Sequence, residues 1–507
     1  MTIAAAVDLN EDGDYSDTYE DISDRLITAE WELGARDQFA MVAGDSTLRL
    51  IVDNEDRRFS PEYASSPIYG SFTVDKPVRI QTTKDGTTRT MIVGWIKSIK
   101  PAPVRFGPMT TEIMVDGWLG RAALLRPLTM EVLTEVTTDE ALAAIIRAGR
   151  LYPPGYVSGW RLGYGLLGHT TVLSSINDYF TYETGRATLH VVGDYGNDMS
   201  LLGAIRDAMG REGGGLFFCD REGNLVFWNS AHFPLDLTSD ATFSGYFQDI
   251  DYAYGEDVRN YIVVPVRNRS IGTAPERLGF SEAEKTVPAG QAVSISYRYA
   301  DPSSGGRIGG QNAITPVASV DFSALYGTSD YSTYVTATIT NESGSGCTVQ
   351  FSNSALVDVV LQSGSQVRGT KITDYGQQQA VATTSARVRR QWTYPGTLDD
   401  LDRAEKLAGY WLRAWSNAQG QIETLRLQPG GSDTLLQNAL ALTIGSRITV
   451  TESQTGLSQD YFIVGERHHW RAPRYYDVTW RLMPAASFAY WTLGASRLGI
   501  DTIPFPL

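Results

Sequence analysis

The sequence predicts a mainly β fold with α+β parts, and three observations support this. Glycine (49), tyrosine (26) and tryptophan (11) are frequent among the 507 residues, a composition that favours strands and turns. Alternating apolar and polar residues recur towards both ends of the chain. Helical periodicity is confined to a few stretches between them. At about 100–200 residues per domain, the chain is long enough for three or four domains.

Residues 1–130 are predicted to form the first unit, which consists of strands. Residues 46–53 alternate apolar side chains with polar ones from Leu48 onwards. A further strand is predicted at 91–99, after the turn residues 84–86, which is a hairpin signal.

Residues 131–255 are predicted to form a small α+β unit. Thr137 and Glu140 have the spacing of a capping box, so we expect a helix that begins there and ends at Gly149. A second helix is predicted over 199–209. It is followed by a hairpin whose strands are 216–218 and 225–228, with turn residues between them.

Residues 280–395 are rich in Ser, Thr and Gly and contain short alternating stretches, which predicts an inserted β-sandwich. The flanking segments 256–279 and 396–507 are predicted to form one further unit of strands. An apolar stripe predicts one strong helix in it, over 398–415.

The two strand regions share a sequence pattern, as an internal repeat would. In each, a strand leads through a turn to a second strand ending in Ile-Val-Gly, and a third strand follows. The segments are 79–82, 91–94 and 111–115 in the first region, and 447–450, 462–465 and 477–480 in the second. The pattern indicates two related β-barrels, but any two sets of hairpins share part of it, so unrelated units remain the alternative.

Several segments, taken in order, resemble one known family. At the start these are VDLNEDGDYSDTYEDIS, ITAEWELG, LRLIVDNEDRRFSPEYASSPIYG and KPVRIQ; in the middle GGGLFFCDREGNLVFW; and near the end ALTIGSRITVTE, DYFIVGERHHW and SFAYWTLGASRLG. Together they resemble the minor tail proteins of long-tailed bacteriophages, the hub at the centre of the tail tip or baseplate. The resemblance covers most of the chain and is weakest over 280–395. The order of the segments carries it, because no single motif is diagnostic.

The resemblance implies a structural virion protein made in the cytoplasm of the host bacterium and located at the tail tip. Such hubs are similar to homotrimers in which each chain gives two tail-tube-like β-barrels, so that six barrels match the six-fold tail tube. The implied partners are the tail-tube or distal tail protein, the tape-measure protein, and tip, fibre or spike proteins. DNA would pass through the lumen when the hub opens for ejection.

The alternative function is that of a receptor- or carbohydrate-binding tail protein acting through the 280–395 sandwich. Composition argues against several other classes of protein. Two cysteines exclude a disulfide scaffold, and a net charge of −15 argues against non-specific nucleic-acid binding. No run approaches the roughly 18 apolar residues of a membrane span, and the acidic start does not resemble a secretory signal.

One motif could hold a metal ion. The residues Asp8, Asn10, Asp12 and Asp14 follow the D-x-N-x-D-G opening of a calcium loop, in which oxygen ligands alternate along the chain. The twelfth position is a tyrosine, and Glu20 comes one residue late. The alternative is an acidic surface turn. Calcium is the only cofactor that the sequence suggests.

Catalytic motifs are not evident. The sequence contains no G-x-S-x-G elbow, and residues 213–215 lack the lysine of a phosphate-binding loop. His468 and His469 are adjacent, so on a strand they would point to opposite faces. Among 58 acidic residues nothing singles out a catalytic pair. We therefore expect no enzyme, with a cell-wall hydrolase as the third hypothesis.

Overall fold

The computed structural model describes residues 1–102, 107–126, 128–151, 153, 179–195, 198–245 and 247–485. Strands dominate this part of the chain, which confirms the mainly β class. No helix within it is long and apolar enough to cross a membrane.

Six strands near the N-terminus are here called the N-terminal strand set. They are β1 (Thr2–Val7), β2 (Leu26–Gly34), β3 (Thr47–Asp53), β4 (Pro77–Lys84), β5 (Thr87–Pro101) and β6 (Thr110–Asp116). Their order in the sheet is β1-β4-β5-β6-β3-β2, and every neighbouring pair is antiparallel. The predicted turn joins β4 to β5, where Asp85 and Gly86 adopt positive φ angles of 50° and 77°.

The α+β unit follows in the chain. Its elements are α1 (Trp118–Leu124), β7 (Leu133–Thr137), α2 (Thr138–Gly149), β8 (Phe180–Tyr182), β9 (Thr188–Val192), α3 (Leu201–Glu212), β10 (Leu216–Cys219), β11 (Leu225–Trp228) and α4 (His232–Leu235). The capping box of α2 is confirmed. Helix α3 begins after Ser200, whose Oγ accepts from the Gly203 N–H at 3.0 Å. It ends at Glu212, with Gly213 as its C-cap, which is later than the predicted residue 209.

Two short strands, β12 (Ala241–Ser244) and β13 (Asp249–Tyr254), precede the insertion. The inserted strands are β14 (Tyr261–Phe280), β15 (Lys285–Val287), β16 (Ala292–Arg298), β17 (Gly309–Ile314), β18 (Ala324–Tyr326), β19 (Ser329–Asp330), β20 (Val335–Ser343), β21 (Gly346–Asn353), β22 (Val359–Leu361), β23 (Gln366–Thr383) and β24 (Gln391–Thr393). The sheets β15-β22-β18-β19 and β16-β21-β20 share one apolar core, as in the predicted sandwich.

A long antiparallel ribbon of β14 and β23 leads into and out of the sandwich. Helix α5 (Leu401–Trp415) packs against this ribbon through the buried side chains of Leu407, Trp411 and Trp415. Asp400 caps the helix, since its side chain accepts from the Asp402 N–H, and the helix therefore starts later than the predicted residue 398.

The chain then returns to the strands near the C-terminus. These elements are β25 (Gly420–Leu427), α6 (Asp433–Ala441), β26 (Arg447–Glu452), β27 (Leu457–Arg471) and β28 (Tyr475–Pro484). Strands β12, β13 and β25 to β28 are here called the C-terminal strand set, and their order is β12-β26-β27-β28-β25-β13.

The two strand sets therefore have the same order: first, fourth, fifth, sixth, third and second strand along the chain. One pairing differs, since β1 is antiparallel to β4 whereas β12 is parallel to β26. Equivalent backbone hydrogen bonds show which residues of β5 and β27 correspond to each other. Ile96 accepts from Asp75 and donates to Lys76, and Ile463 accepts from Gly445 and donates to Ser446. The sequence comparison of 91–94 with 462–465 was thus wrong in register, although it paired the equivalent strands.

Strand β2 pairs with β27, and this joins both sets into one 12-stranded sheet. Within the described residues the strands form one continuous sheet that branches at β27 and contains no closed barrel, whereas the sequence predicted two tail-tube-like β-barrels. The N-terminal strand set comes nearest to forming a closed barrel. There Val7 donates to the Glu20 carbonyl and Ile22 to the Ala5 carbonyl, both at 2.9 Å, next to the start of β2.

Two boundaries differ from the predicted ones. Strands β12 and β13 lie within 131–255 but pair with β26 and β25 of the C-terminal strand set. Strand β14, predicted within 256–279 to belong to the second barrel, pairs instead with β23 and β24. Strand partners are distant in sequence, so local patterns do not reveal them.

Candidate interaction surfaces

The junction between the two strand sets is a tight backbone ladder between β2 and β27. It runs from Thr28 opposite Arg471 to Gly34 opposite Gly465. A Cβ atom on Gly34 would lie 2.4 Å from the Val464 carbonyl oxygen, and Gly34 has a φ of 91°. Glycine is therefore required where the two sets meet.

Side chains on the two faces of this junction differ in character. On one face Arg467 Nε donates to Glu30 at 2.9 Å, and Arg481 donates to Glu32 at 2.7 Å. On the other face Trp31 stacks on His468, with ring centroids 5.0 Å apart. Both Trp31 and His468 are fully buried, so this face belongs to the core.

A buried ion pair ties the α+β unit to the C-terminal strand set. Arg221, in the turn between β10 and β11, donates through Nε to Glu466 at 2.8 Å. It also donates to the carbonyls of Leu440 and Leu442 at 2.6 and 2.8 Å. Burial alone would raise the pKa of Glu466, but Arg221, aided by His468, outweighs it and holds this pKa below its usual value. The carboxylate is therefore charged, paired and buried.

One strand edge of the C-terminal set is open and acidic. Among the described residues, β13 pairs with β25 alone, and Asp249, Asp251 and Tyr254 on it are exposed. Burial, followed by the charges of Asp251, Asp257 and Glu256, raises the pKa of Glu423 on the neighbouring strand. Negative charge is thus concentrated along this edge.

A second open edge lies on β5 and is basic. Strand β4 pairs with β5 only as far as Trp95, and beyond Ile96 no described strand continues on that side. Lys97 and Lys100 are exposed there. The Lys100 side chain is 64% exposed, and its Nζ lies 3.4 Å from Glu112. The equivalent edge in the C-terminal strand set is that of β27, and it is paired with β2.

The predicted calcium loop forms a turn whose carboxylates accept backbone hydrogen bonds. Asp8 is buried, and its two oxygens accept from Asp12 N and Gly13 N at 3.2 and 2.9 Å. Asp12 accepts from Asp14 N at 2.8 Å, and Glu20 accepts from Leu9 N at 2.8 Å.

Other atoms of this loop are also engaged with each other. Asn10 donates to Asp12 and Asp17 at 3.0 and 2.7 Å, and Asp14 accepts from the Ser16 hydroxyl at 3.0 Å. Within the described ranges, no three His, Cys, Asp or Glu side chains are arranged to hold a metal. The calcium site stays a prediction, which calorimetric titration of calcium into the protein would test.

An aromatic surface lies on the sandwich insertion. Tyr326 and Tyr334 are 52% and 50% exposed, and both contact Tyr331, with ring centroids 5.9 and 5.4 Å apart. Sequence reasoning missed this cluster because the three tyrosines are spread over a hairpin and a short 3₁₀ turn. It also missed Arg221, whose only signal was a charged residue in a turn between two apolar strands.

The remaining candidate residues have ordinary surroundings. Cys219 and Cys347 are buried, and burial raises the pKa of both thiols, that of Cys347 to about 11. His468 is buried while His469 is partly exposed, which confirms that they point to opposite faces. The segment SFAYWTLGASRLG lies outside the described residues.

Comparison with known proteins gives matches only among solved structures. No protein-family model and no curated protein sequence matches the chain.

The chain is similar to a tail protein from Neisseria meningitidis, with 9% identity and a TM-score of 0.48 over 95% of this chain and 96% of that one. It is also similar to a 43 kDa tail protein of prophage MuSo2 from Shewanella oneidensis, with 9% identity and a TM-score of 0.48 over 96% and 100% of the two chains. A prophage tail protein from Listeria monocytogenes aligns with 9% identity and a TM-score of 0.40 over 95% and 94%. All three are described as tail proteins, and the proposals below rest on this chain's own residues.

Proposed function

We propose that this chain is a structural, non-catalytic protein of a bacteriophage tail and that it forms the central hub ring at the tail tip. In this role it connects the tail tube to distal tip or receptor-binding proteins and opens for DNA ejection. The single observation that carries the proposal is the repeated strand order of the two strand sets within one continuous sheet.

The repeat supports a ring because it places two equivalent units side by side in one chain. If neighbouring chains meet as the two sets meet within the chain, the contact is head-to-tail, and contacts of that kind produce closed rings when their rotation closes. Three chains then contribute six units. This number matches the six-fold tail tube that the family resemblance implies.

The charge of the chain suits a passage for DNA. A net charge of −15 provides few cations to neutralise phosphates, so DNA in transit would not adhere to the protein. In this proposal the tail-tube or distal tail protein binds one face of the ring. Tip, fibre or spike proteins bind the other face, and the tape-measure protein reaches the lumen.

Averaged electron microscopy of the purified protein and of intact virions tests this function. We expect a ring of three chain masses with six similar lobes, and antibodies against the chain should label the tail tip. Labelling elsewhere on the virion, or a tail tip without a ring of this protein, would contradict the proposal. A peptidoglycan zymogram completes the test, since a clear band would support the hydrolase hypothesis.

The tyrosine cluster favours a second candidate function, receptor or carbohydrate binding through the sandwich. Exposed aromatic rings offer apolar faces and hydroxyl groups to a sugar. The test is glycan-array binding of the full chain and of a variant with Tyr326→Ala and Tyr334→Ala. Binding that is lost in this variant and kept in Tyr69→Ala, an exposed tyrosine in the segment between β3 and β4, supports it. Equal binding by all three proteins counts against it.

A further inference from the structure

We propose that the open edge of β13 pairs, as an added antiparallel strand, with residues 97–101 of β5 in a second copy of this chain. The inference rests on the proposed ring and specifies the contact that closes it. The occupant is another copy because the chain already contains the same contact once, between β2 and β27.

The equivalence of the strands is fixed by their pairing. Leu50 lies opposite Ala29 on one side and Ile113 on the other. Leu425 lies in the same way between Ile250 and Trp480. Strand β13 is therefore the counterpart of β2, with Ile250 in the place of Ala29.

The receiving strand is matched by its backbone bonds and by a shared irregularity. Ile96 and Ile463 make the same pair of hydrogen bonds to the segment before the fourth strand of their set. The register with the sixth strand then shifts directly after each of them, between Ile96 and Ser98 and between Ile463 and Gly465. Ser98 thus corresponds to Gly465, and Lys100 corresponds to Arg467.

These matches give a register for the contact between copies. Because Gly34 lies opposite Gly465 and Glu32 opposite Arg467, Gly255 is placed opposite Ser98 and Ala253 opposite Lys100. Within the chain, Arg467 also forms an ion pair with Glu30, one position along the same face. The counterpart between copies is an ion pair of Lys100 with Asp251.

Charge and hydrogen bonding both favour this contact. The β13 edge carries Asp249 and Asp251, and the β5 edge carries Lys97 and Lys100. Both edges leave backbone groups unpaired among the described residues, and such edges pair readily with another chain. The two edges belong to different strand sets, and a contact that repeats the arrangement of β2 on β27 is head-to-tail. The contact therefore propagates around a ring.

A disulfide between copies tests the register. The full chain carrying both Lys100→Cys and Ala253→Cys should form covalent dimers and trimers under mild oxidation, because directly opposite residues have Cβ atoms about 4.5–5.5 Å apart. Mixing the two single variants should give dimers alone. The matched control combines Ala253→Cys with Ile99→Cys, whose side chain points to the other face. The native cysteines are buried and should not contribute.

Charge reversal tests the ion pair separately. Lys100→Glu alone and Asp251→Lys alone should each weaken assembly about tenfold, as measured by mass photometry across a concentration series. The double variant should restore it. Lys285→Glu, an exposed lysine of the insertion, is the control and should leave assembly unchanged.

The outcomes separate this inference from the proposed function. A ring that forms without the Lys100–Ala253 cross-link, or that cross-links equally through Ile99, overturns the β13–β5 contact and leaves the hub function standing. Virions whose tail tips lack a ring of this protein contradict the function and the inference together. Cross-linked trimers with restored assembly in the double variant support both.

Discussion

The N-terminal and C-terminal strand sets share one strand order, yet the equivalent site on their fifth strands is used differently. In the C-terminal strand set, β2 covers β27, and Glu466 is buried beside Arg221. In the N-terminal strand set, no described strand covers β5 beyond Ile96, and exposed lysines lie there. A shared topology thus does not fix the packing. In the C-terminal strand set, this site is occupied by a strand of the same chain. In the N-terminal strand set, it is open and its lysines are exposed.

Breaking the buried ion pair should have the largest effect on this comparison. Arg221→Met leaves Glu466 charged and buried without its partner, so we expect a loss of about 3–5 kcal/mol in the free energy of unfolding. Urea denaturation measures it. Arg49→Met, which breaks a more exposed pair with Glu112 in the N-terminal strand set, should cost below about 1 kcal/mol. Equal losses would show that the two sets are stabilised alike.

The glycine at the junction gives the next largest effect. Gly34→Ala places a Cβ atom 2.4 Å from a carbonyl oxygen, whereas Gly86→Ala in the β4–β5 turn has no heavy atom within 4 Å. Both substitutions strain a positive φ, by about 1–2 kcal/mol. Gly34→Ala should cost about 1–3 kcal/mol more because the clash adds to the strain. Thermal unfolding of both variants measures the difference, and identical melting temperatures would mean that β2 and β27 are not tightly joined.

A pH effect is expected from Asp45, in the segment between β2 and β3. Burial raises the pKa of Asp45 to about 6, although the Gly120 N–H donates to it at 2.8 Å. The folded state then binds a proton more tightly than the unfolded state, so Asp45 lowers stability as pH rises from about 4 to about 6. Asp45→Asn removes this dependence and should be more stable than the original protein at pH 7, by on the order of 1–2 kcal/mol.

Urea denaturation at several pH values checks the Asp45 prediction. The difference in unfolding free energy between Asp45→Asn and the original protein should grow from pH 4 to pH 6. Parallel curves over that range would show that Asp45 titrates normally.

The exposed junction pair should have the smallest effect. Glu30 and Arg467 have side chains 26% and 56% exposed, so a double-mutant cycle with Glu30→Gln and Arg467→Gln should give a coupling below about 1 kcal/mol. The coupling should decrease in high salt because the charges are screened. A coupling above about 2 kcal/mol would mean that the surface pair, and not the glycine contact, secures the junction.

Local features of the fold could be predicted from the sequence, while long-range ones could not. The Thr137 capping box, the Asp85-Gly86 turn and the 216–228 hairpin depend on residues close together in the chain, and the structure contains all three. The pairing of β2 with β27, in contrast, joins Gly34 to Gly465. Alternation of apolar residues shows that a strand has a buried face and does not name its neighbour.

For the candidate surfaces, too, only features formed by residues close together in the chain could be predicted from the sequence. The acidic loop was visible because its residues are consecutive, but sequence spacing could not show that Asp8 turns both oxygens towards backbone N–H groups. The open edges on β5 and β13 can be recognised only once the strand order is known. The equivalence of Lys100 and Arg467 depends on a register that the sequence alignment placed differently.

The insertion between β13 and β25 has a consequence for how such a protein can change. Its two ends lie together, since Gly255 N donates to the Gln419 carbonyl at 3.1 Å, and adjacent strands continue on either side. The corresponding connection in the N-terminal strand set is only the short segment 35–46. A segment that leaves and re-enters a framework at one point can be lengthened, trimmed or exchanged without moving the strands that carry it. Natural variation among relatives should therefore accumulate in this insertion, giving the protein a new surface while its strand framework is inherited unchanged.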